Sequence, residues 1–258
     1  MKAALTAALL AATVAAHAGR PCEEQPQTPA GVEQGLALAQ AAARALDDSG
    51  AQVLVLARAG QDLSRYGLRW SHLGLAYKDT AAGAWRVLHK LNHCGSDRAA
   101  LFRQGLGEFF LDHPHRYEAA FVALKPALQQ ALLPVLMDNA RAQALDERRY
   151  SMVAYAFGTT YQQSNQWVLE MLAAAAAPGI GSRRAAQDWL RAQGYQPTDL
   201  RLSAMTRLGG RLTQANIAFD DHPGARRFGG HIDTVTVDSM FAWLPRANLS
   251  ESPQLVTP

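Results

Sequence analysis

The run Gln52-Val53-Leu54-Val55-Leu56-Ala57-Arg58 constrains this chain most, because no polar residue interrupts it between Gln52 and Arg58. It is too short for a core helix, and its branched residues suit a pleated backbone, so it predicts a buried strand. Such a strand needs cover. Residues 29–48 supply an apolar stripe of Leu36, Leu38, Ala39, Ala42, Ala43 and Leu46 near a period of 3.6, which predicts a helix ending at Ser49-Gly50. Residues 69–77 and 85–91 read as two antiparallel strands around a turn at 79–83, and residues 119–124 read as a further strand. Between 101 and 110 lies a short mixed segment with Phe109-Phe110 buried. One α+β domain accommodates this order, with an antiparallel sheet packed against helices.

Helices are also expected at 126–136, running on to 144 with Pro134 as a break, at 164–177 and at 184–193. The helix at 164 is the clearest, since Trp167, Val168, Met171 and Leu172 recur on one face and Pro178-Gly179 stops it. Two strands, at 210–219 and 229–237, are expected to finish the domain. The polar stretch 247–258 reads as a disordered tail, so the domain is expected to span 19–246.

Residues 1–18 read as a secretory signal peptide: Lys2, then an apolar run from Ala3 to Ala16, then the small–x–small pattern Ala16-His17-Ala18. The expectation is an exported protein, periplasmic or secreted, that spans no membrane once the signal is removed. Export gives meaning to the two cysteines, Cys22 and Cys94. An oxidising compartment favours their pairing, and closing a loop of about 70 residues is worth roughly 3–4 kcal/mol in the chain-entropy model. Two cysteines exclude a four-cysteine zinc site. Lys and Arg number 25 against 22 Asp and Glu, without a basic cluster, which argues against nucleic acid as a partner. No cofactor motif is present: the glycines of 178–182 follow a helix rather than a strand, so they do not form a phosphate loop. His89 and His93 lack the intervening glutamate of a zinc helix, and His113-Pro114-His115 and Asp220-Asp221-His222 are loop motifs, so no metal site is expected.

Two segments carry chemistry. Ser71-His72-Leu73-Gly74-Leu75 puts a histidine two places before a glycine on a predicted strand, with His89 on the neighbouring strand. Gln163-Ser164-Asn165-Gln166-Trp167 puts a small nucleophile at a helix start, where the helix dipole and free backbone N–H groups favour developing negative charge. In triad logic Ser164 attacks, His72 is the base and His89 orients His72. Gln163, Asn165, Gln166 and Trp167 are candidates for substrate binding. The same residues also read as ordinary structure: Ser164 as an N-cap, Trp167 and Met171 as core.

Residues 22–243 resemble an uncharacterised bacterial family catalogued as domain of unknown function 2145. The resemblance rests on Asp62-Leu63-Ser64-Arg65, Ser71-His72-Leu73-Gly74, the Cys94 segment, residues 102–105, Arg149-Tyr150-Ser151, and Asn165-Gln166-Trp167-Val168 followed by Glu170. That family is in turn similar to circularly permuted papain-like proteins of the NlpC and lecithin retinol acyltransferase-like type. The resemblance implies a papain-like fold in which the His72 strand and the His89 strand precede the nucleophile helix. It implies a hydrolase or acyltransferase acting on amide or ester bonds, with cell-wall peptide or lipid as substrate. Where the family pattern has cysteine, this chain has Ser164. Either it is a serine variant of such an enzyme, or catalysis has decayed and the groove is kept for binding.

Overall fold

The computed structural model describes residues 26–258. Cys22 and residues 1–18, expected to be a signal peptide, lie outside the described residues. The first helix, α1 (Pro29–Asp48), begins where expected: Thr28 caps it by accepting from the Gly31 N–H at 3.0 Å, and Pro29 fits the first turn. Its stripe of Leu38, Ala39, Ala42 and Leu46 is buried. The buried run forms β1 (Val53–Arg58), followed by β2 (His72–Asp79), β3 (Ala84–Asn92), β4 (Ala99–Gly105), α2 (Leu106–Phe110) and β5 (Ala119–Ala123). The 101–110 segment thus divides into the end of a strand and a short helix.

These strands and the last one, β8 (Gln254–Val256), form a wholly antiparallel sheet in the order β4-β3-β2-β1-β5-β8. Every residue of β1 is buried because both faces of the sheet are covered. Leu54, Leu56, Ala76, Val87 and Phe121 pack towards α1 and α2. Val53, Val55, Leu73, Leu75 and Val122 pack towards α3 (Pro126–Leu136), α5 (Ser164–Ala176) and later helices.

Pro134 lies inside α3 without ending it. The chain instead breaks at Asp138, whose carboxylate accepts from the Ala140 and Arg141 N–H groups and starts a separate α4 (Asn139–Ala142).

Beyond α5 come α6 (Arg183–Ala192), β6 (Thr198–Arg201), α7 (Ala204–Thr213), α8 (Gly224–Phe228), β7 (His231–Thr234) and α9 (Val237–Trp243). The strand expected at 210–219 is the end of α7 followed by a loop. Ser203, accepting from the Thr206 N–H at 3.1 Å, starts that helix, and this cap outweighs the pull of Gly209 and Gly210. The strand expected at 229–237 shortens to β7, because Thr236 caps α9 in a reciprocal pair with Ser239. β7 pairs with β6 in a separate two-stranded sheet.

The stretch 247–258 is not a disordered tail. Its polar composition conceals the pair Leu255-Val256: Val256 is buried opposite Ala119, and the Glu251 N–H donates to the Ala123 carbonyl at 2.8 Å. β8 covers the otherwise open edge of β5, which extends the fold past residue 246. Among the described residues no helix is long and apolar enough to cross a membrane.

Candidate functional site

The start of α5 differs from the sequence expectation by one residue. Gln163, not Ser164, is the N-cap: its side chain accepts from the Asn165 N–H at 3.0 Å, and the Gln166 side chain returns to the Gln163 N–H. Gln163 also donates to Thr234 Oγ1 at 3.2 Å and to the Val235 carbonyl. With capping done by Gln163, the Ser164 hydroxyl in the first turn is left for another partner. The Tyr150 hydroxyl lies beside it. Burial pushes the Tyr150 phenol above its ordinary value, so it keeps its proton at neutral pH. Tyr150 carried no functional reading in the sequence, and its place in Arg149-Tyr150-Ser151 was the only signal.

Asn165 ties the helix to the sheet by accepting the Leu73 N–H at Oδ1, 3.2 Å away. That bond joins the residue after His72 to the residue after Ser164. It forms where β2 has run past its pairing with β3, which begins at Leu75 opposite Leu88. Gln166 and Trp167 do not line a substrate cavity. Gln166 is fully buried and donates to the Tyr155 carbonyl at 3.1 Å and to those of Ala156 and Gly158 at 3.3 Å. Trp167 sits in the core below the sheet, and its indole N–H has no hydrogen-bond acceptor there. Both were expected to bind substrate; the structure instead buries both, Gln166 on the carbonyls of the loop before α5 and Trp167 in the core.

The two histidines meet as expected. His72 Nε2 and His89 Nδ1 are 2.8 Å apart, with the rings edge-on at 5.1 Å, and both lie against Phe109. Gly74 makes this possible. A Cβ there would lie 2.6 Å from Val87 Cγ1 and 2.9 Å from His89 Cβ, so any side chain would push β3, and His89 with it, away from β2. His89 is fully buried. Burial, with a smaller contribution from the Arg58 guanidinium, pushes its pKa down to about 3, so it is neutral at physiological pH. Neutral His89 can accept at Nδ1, which leaves His72 protonated on Nε2 and unprotonated on Nδ1, a tautomer inferred from the bonding pattern. The second nitrogen of His89, Nε2, has no hydrogen bond of sound geometry, although the Gln104 side chain lies alongside it.

This arrangement has a pH signature. The folded protein holds His89 neutral down to about pH 3, while the unfolded chain takes up the proton near 6.5. Stability is therefore lost as pH falls through that window, with a slope of about 1.4 kcal/mol per pH unit from this residue. Chemical denaturation of wild type and His89→Asn between pH 6 and 4.5 measures it: the wild-type slope should exceed that of the variant by about this amount.

Ser164, His72, Asn165, Gln163 and Tyr150 all line one cavity of about 700 Å³. Ser164 is only 5% exposed. Among the described residues no hydrogen bond joins Ser164 to His72. Most of the remaining wall is apolar, including Leu68, Trp70, Met152, Leu202, Ile217 and Phe219. His113 and His115 also face this cavity, but among the described residues no group of three or more His, Cys, Asp or Glu side chains converges as a metal site would.

Behind α5 lies a buried polar cluster that the sequence did not reveal. Glu170 receives Arg183 Nε at 2.8 Å, Gln187 at 2.7 Å and Gln162 at 2.5 Å. Gln162 in turn accepts from Lys90 at 2.8 Å, and Lys90 donates to Asp146 at 2.5 Å. Arg183 also donates to the carbonyls of Gly158, Thr159 and Tyr161. Two positive and two negative groups are thus paired out of water, and they fasten the loop before α5 to the helix that carries Ser164.

Sequence comparison covers most of this architecture, without the greater part of α1 and without β8. The model of a family of uncharacterised proteins conserved in bacteria, DUF2145, matches residues 45–244. No curated protein and no solved structure matches the chain. The matched region runs from the end of α1 to the end of α9 and contains His72, His89, Tyr150 and Ser164. The chain belongs to this bacterial family, DUF2145.

Proposed function

We propose that the chain is an exported hydrolase or acyltransferase of papain-like type, with permuted element order, that acts on amide or ester bonds through Ser164. The observation that supports this reading best is the His72–His89 pair, hydrogen-bonded at 2.8 Å, on the same cavity as a serine in the first turn of a helix. For attack, the Ser164 hydroxyl turns from Tyr150 towards His72. Its oxygen bonds to the substrate carbonyl carbon while His72 Nδ1 takes the proton and then passes it to the leaving group. The positive end of the α5 dipole, rather than the Asn165 and Gln166 N–H groups that the Gln163 cap occupies, favours the oxyanion. His89, being neutral, orients His72 by accepting its Nε2–H and does not carry a compensating charge. In this reading a Cys22–Cys94 bridge ties the start of the exported chain to the loop after β3.

A second reading, a binding groove without catalysis, is favoured by the lack, among the described residues, of a hydrogen bond between Ser164 and His72 and by serine in a thiol's place. Hydrolysis of chromogenic esters and thioesters by wild type, Ser164→Ala and Ser164→Cys separates the two. Wild-type turnover abolished in Ser164→Ala supports the serine enzyme. Turnover seen only in Ser164→Cys supports a groove whose catalysis has been lost.

A further inference from the structure

Helix α7 sets an apolar crest in water. Met205 is 77% exposed, Leu208 52% and Leu212 76%, whereas Gly210 is the one residue of the helix that is buried. At 100° per residue the three large side chains fall within about 60° of one another. On one flank of this crest Thr206, Gly209 and Gly210 line the cavity that holds Ser164, and Met205 belongs to both surfaces. On the other flank stand Arg207 and Arg211, and α7 contains no acidic residue. Arg211 is 3.8 Å from Asp220, both half-exposed, while Arg207 bonds the Leu202 carbonyl. The neighbouring α8 adds Phe228, 77% exposed, beneath the Arg227 guanidinium. The other arginines nearby are matched by acids, Arg226 by Asp233 and Arg201 by Asp199.

We infer that α7 docks on an anionic lipid surface and that the cavity beside it takes an acyl chain from that surface. The order around the helix is what such a surface selects: arginines level with anionic headgroups, then a crest that enters the acyl boundary, then the cavity mouth. The glycine pair in mid-helix, each costing about 1 kcal/mol relative to alanine, keeps α7 weakly held and able to adjust on the surface. The largely apolar cavity wall suits a hydrocarbon chain, with Ser164 on the same wall for its ester or amide. The acyl-chain part names the substrate class of the site proposed above and rests on that reading; the docking surface does not.

The test is co-sedimentation of the purified full chain with vesicles of phosphatidylglycerol and phosphatidylcholine against phosphatidylcholine alone. Binding at least tenfold stronger to the anionic vesicles, and weakened in 0.5 M salt, is expected. Leu208→Gln with Leu212→Gln should lower it at least tenfold, and Arg207→Gln with Arg211→Gln should remove the anionic preference. Leu208 and Leu212 are exposed, so their replacement should leave the thermal midpoint unchanged, and Leu208→Trp should show blue-shifted emission quenched by brominated lipid. Gly209→Leu, at a position where a Cβ meets nothing within 4 Å, should reduce uptake of a fluorescent fatty acid several-fold by narrowing the mouth. Equal binding to both vesicles, binding indifferent to the crest, or a crest whose loss abolishes only self-association in sedimentation equilibrium would each overturn docking. No uptake of the fatty acid by wild type overturns the acyl-chain part. Vesicle binding through the crest by a protein that hydrolyses no ester upholds the docking surface and removes only the serine enzyme.

Discussion

His72→Gln should lower kcat/KM for a chromogenic ester by about 10²–10⁴-fold, most of it in kcat. Glutamine is close to histidine in reach and can still donate to His89 Nδ1, so the wall of the cavity is kept. It has no basic nitrogen, so nothing takes the Ser164 proton during attack. A serine hydroxyl, unlike a thiol, has no appreciable ionised fraction at neutral pH, which makes this loss larger than for a cysteine nucleophile. A variant with near wild-type kcat would transfer the base's role elsewhere, with His113 and His115 on the same cavity wall the first groups to test. Steady-state kinetics of the two proteins at one pH decides the matter.

Arg183→Leu should be the most destabilising single substitution in the α5 region, by about 3–5 kcal/mol. Glu170 is fully buried, and burial pushes its carboxyl above the usual range while Arg183, Gln187 and Gln162 pull it back. Removing the guanidinium strands a carboxylate in a dry site and leaves the Gly158, Thr159 and Tyr161 carbonyls without that donor. Adding Glu170→Gln to Arg183→Leu should recover a substantial part, because the charge goes while an amide can still bond Gln162 and Gln187. The deficit of the single variant should also shrink as pH falls through the raised Glu170 pKa, since the folded form then takes the proton that removes the stranded charge. Denaturant midpoints of the three proteins at pH 7 and 5 measure both effects. Equal stability of the single and double variants would show that the lost carbonyl bonds, not the charge, dominate.

Much of the architecture could be read from local pattern, and the reasons are specific. α1, β1 and α5 carry strong periodicity and unambiguous stops, and the structure places them within a residue or two of expectation. The region after α6 was poorly legible because its elements are short and set by caps: Ser203 and Thr236 decide where α7 and α9 begin, and glycine-rich sequence concealed α7. β8 was missed because a three-residue edge strand gains its order from a partner about 135 residues away, which local composition does not report. At the site, the His72–His89 pair was legible, since a glycine at 74 and adjacent strands bring the rings together. Gln163 taking the cap from Ser164 was not, nor was the Tyr150 hydroxyl beside it. Gln166 and Trp167 look like neighbours of Ser164 in sequence, yet the helix rotates them into the core. The Lys90–Gln162–Glu170–Arg183 cluster draws on four separate segments, so no spacing announces it.

The most direct measurement is labelling of the purified protein with an alkyl fluorophosphonate, read by intact mass and peptide mapping. The fluorophosphonate phosphorus accepts an activated serine oxygen and loses fluoride, so it reports nucleophilicity independently of substrate. Stoichiometric modification of the peptide carrying Ser164, absent in Ser164→Ala and slowed in His72→Gln, is the expected outcome. A protein that remains unmodified after prolonged exposure, or is modified equally with Ser164 replaced, would contradict a nucleophilic Ser164.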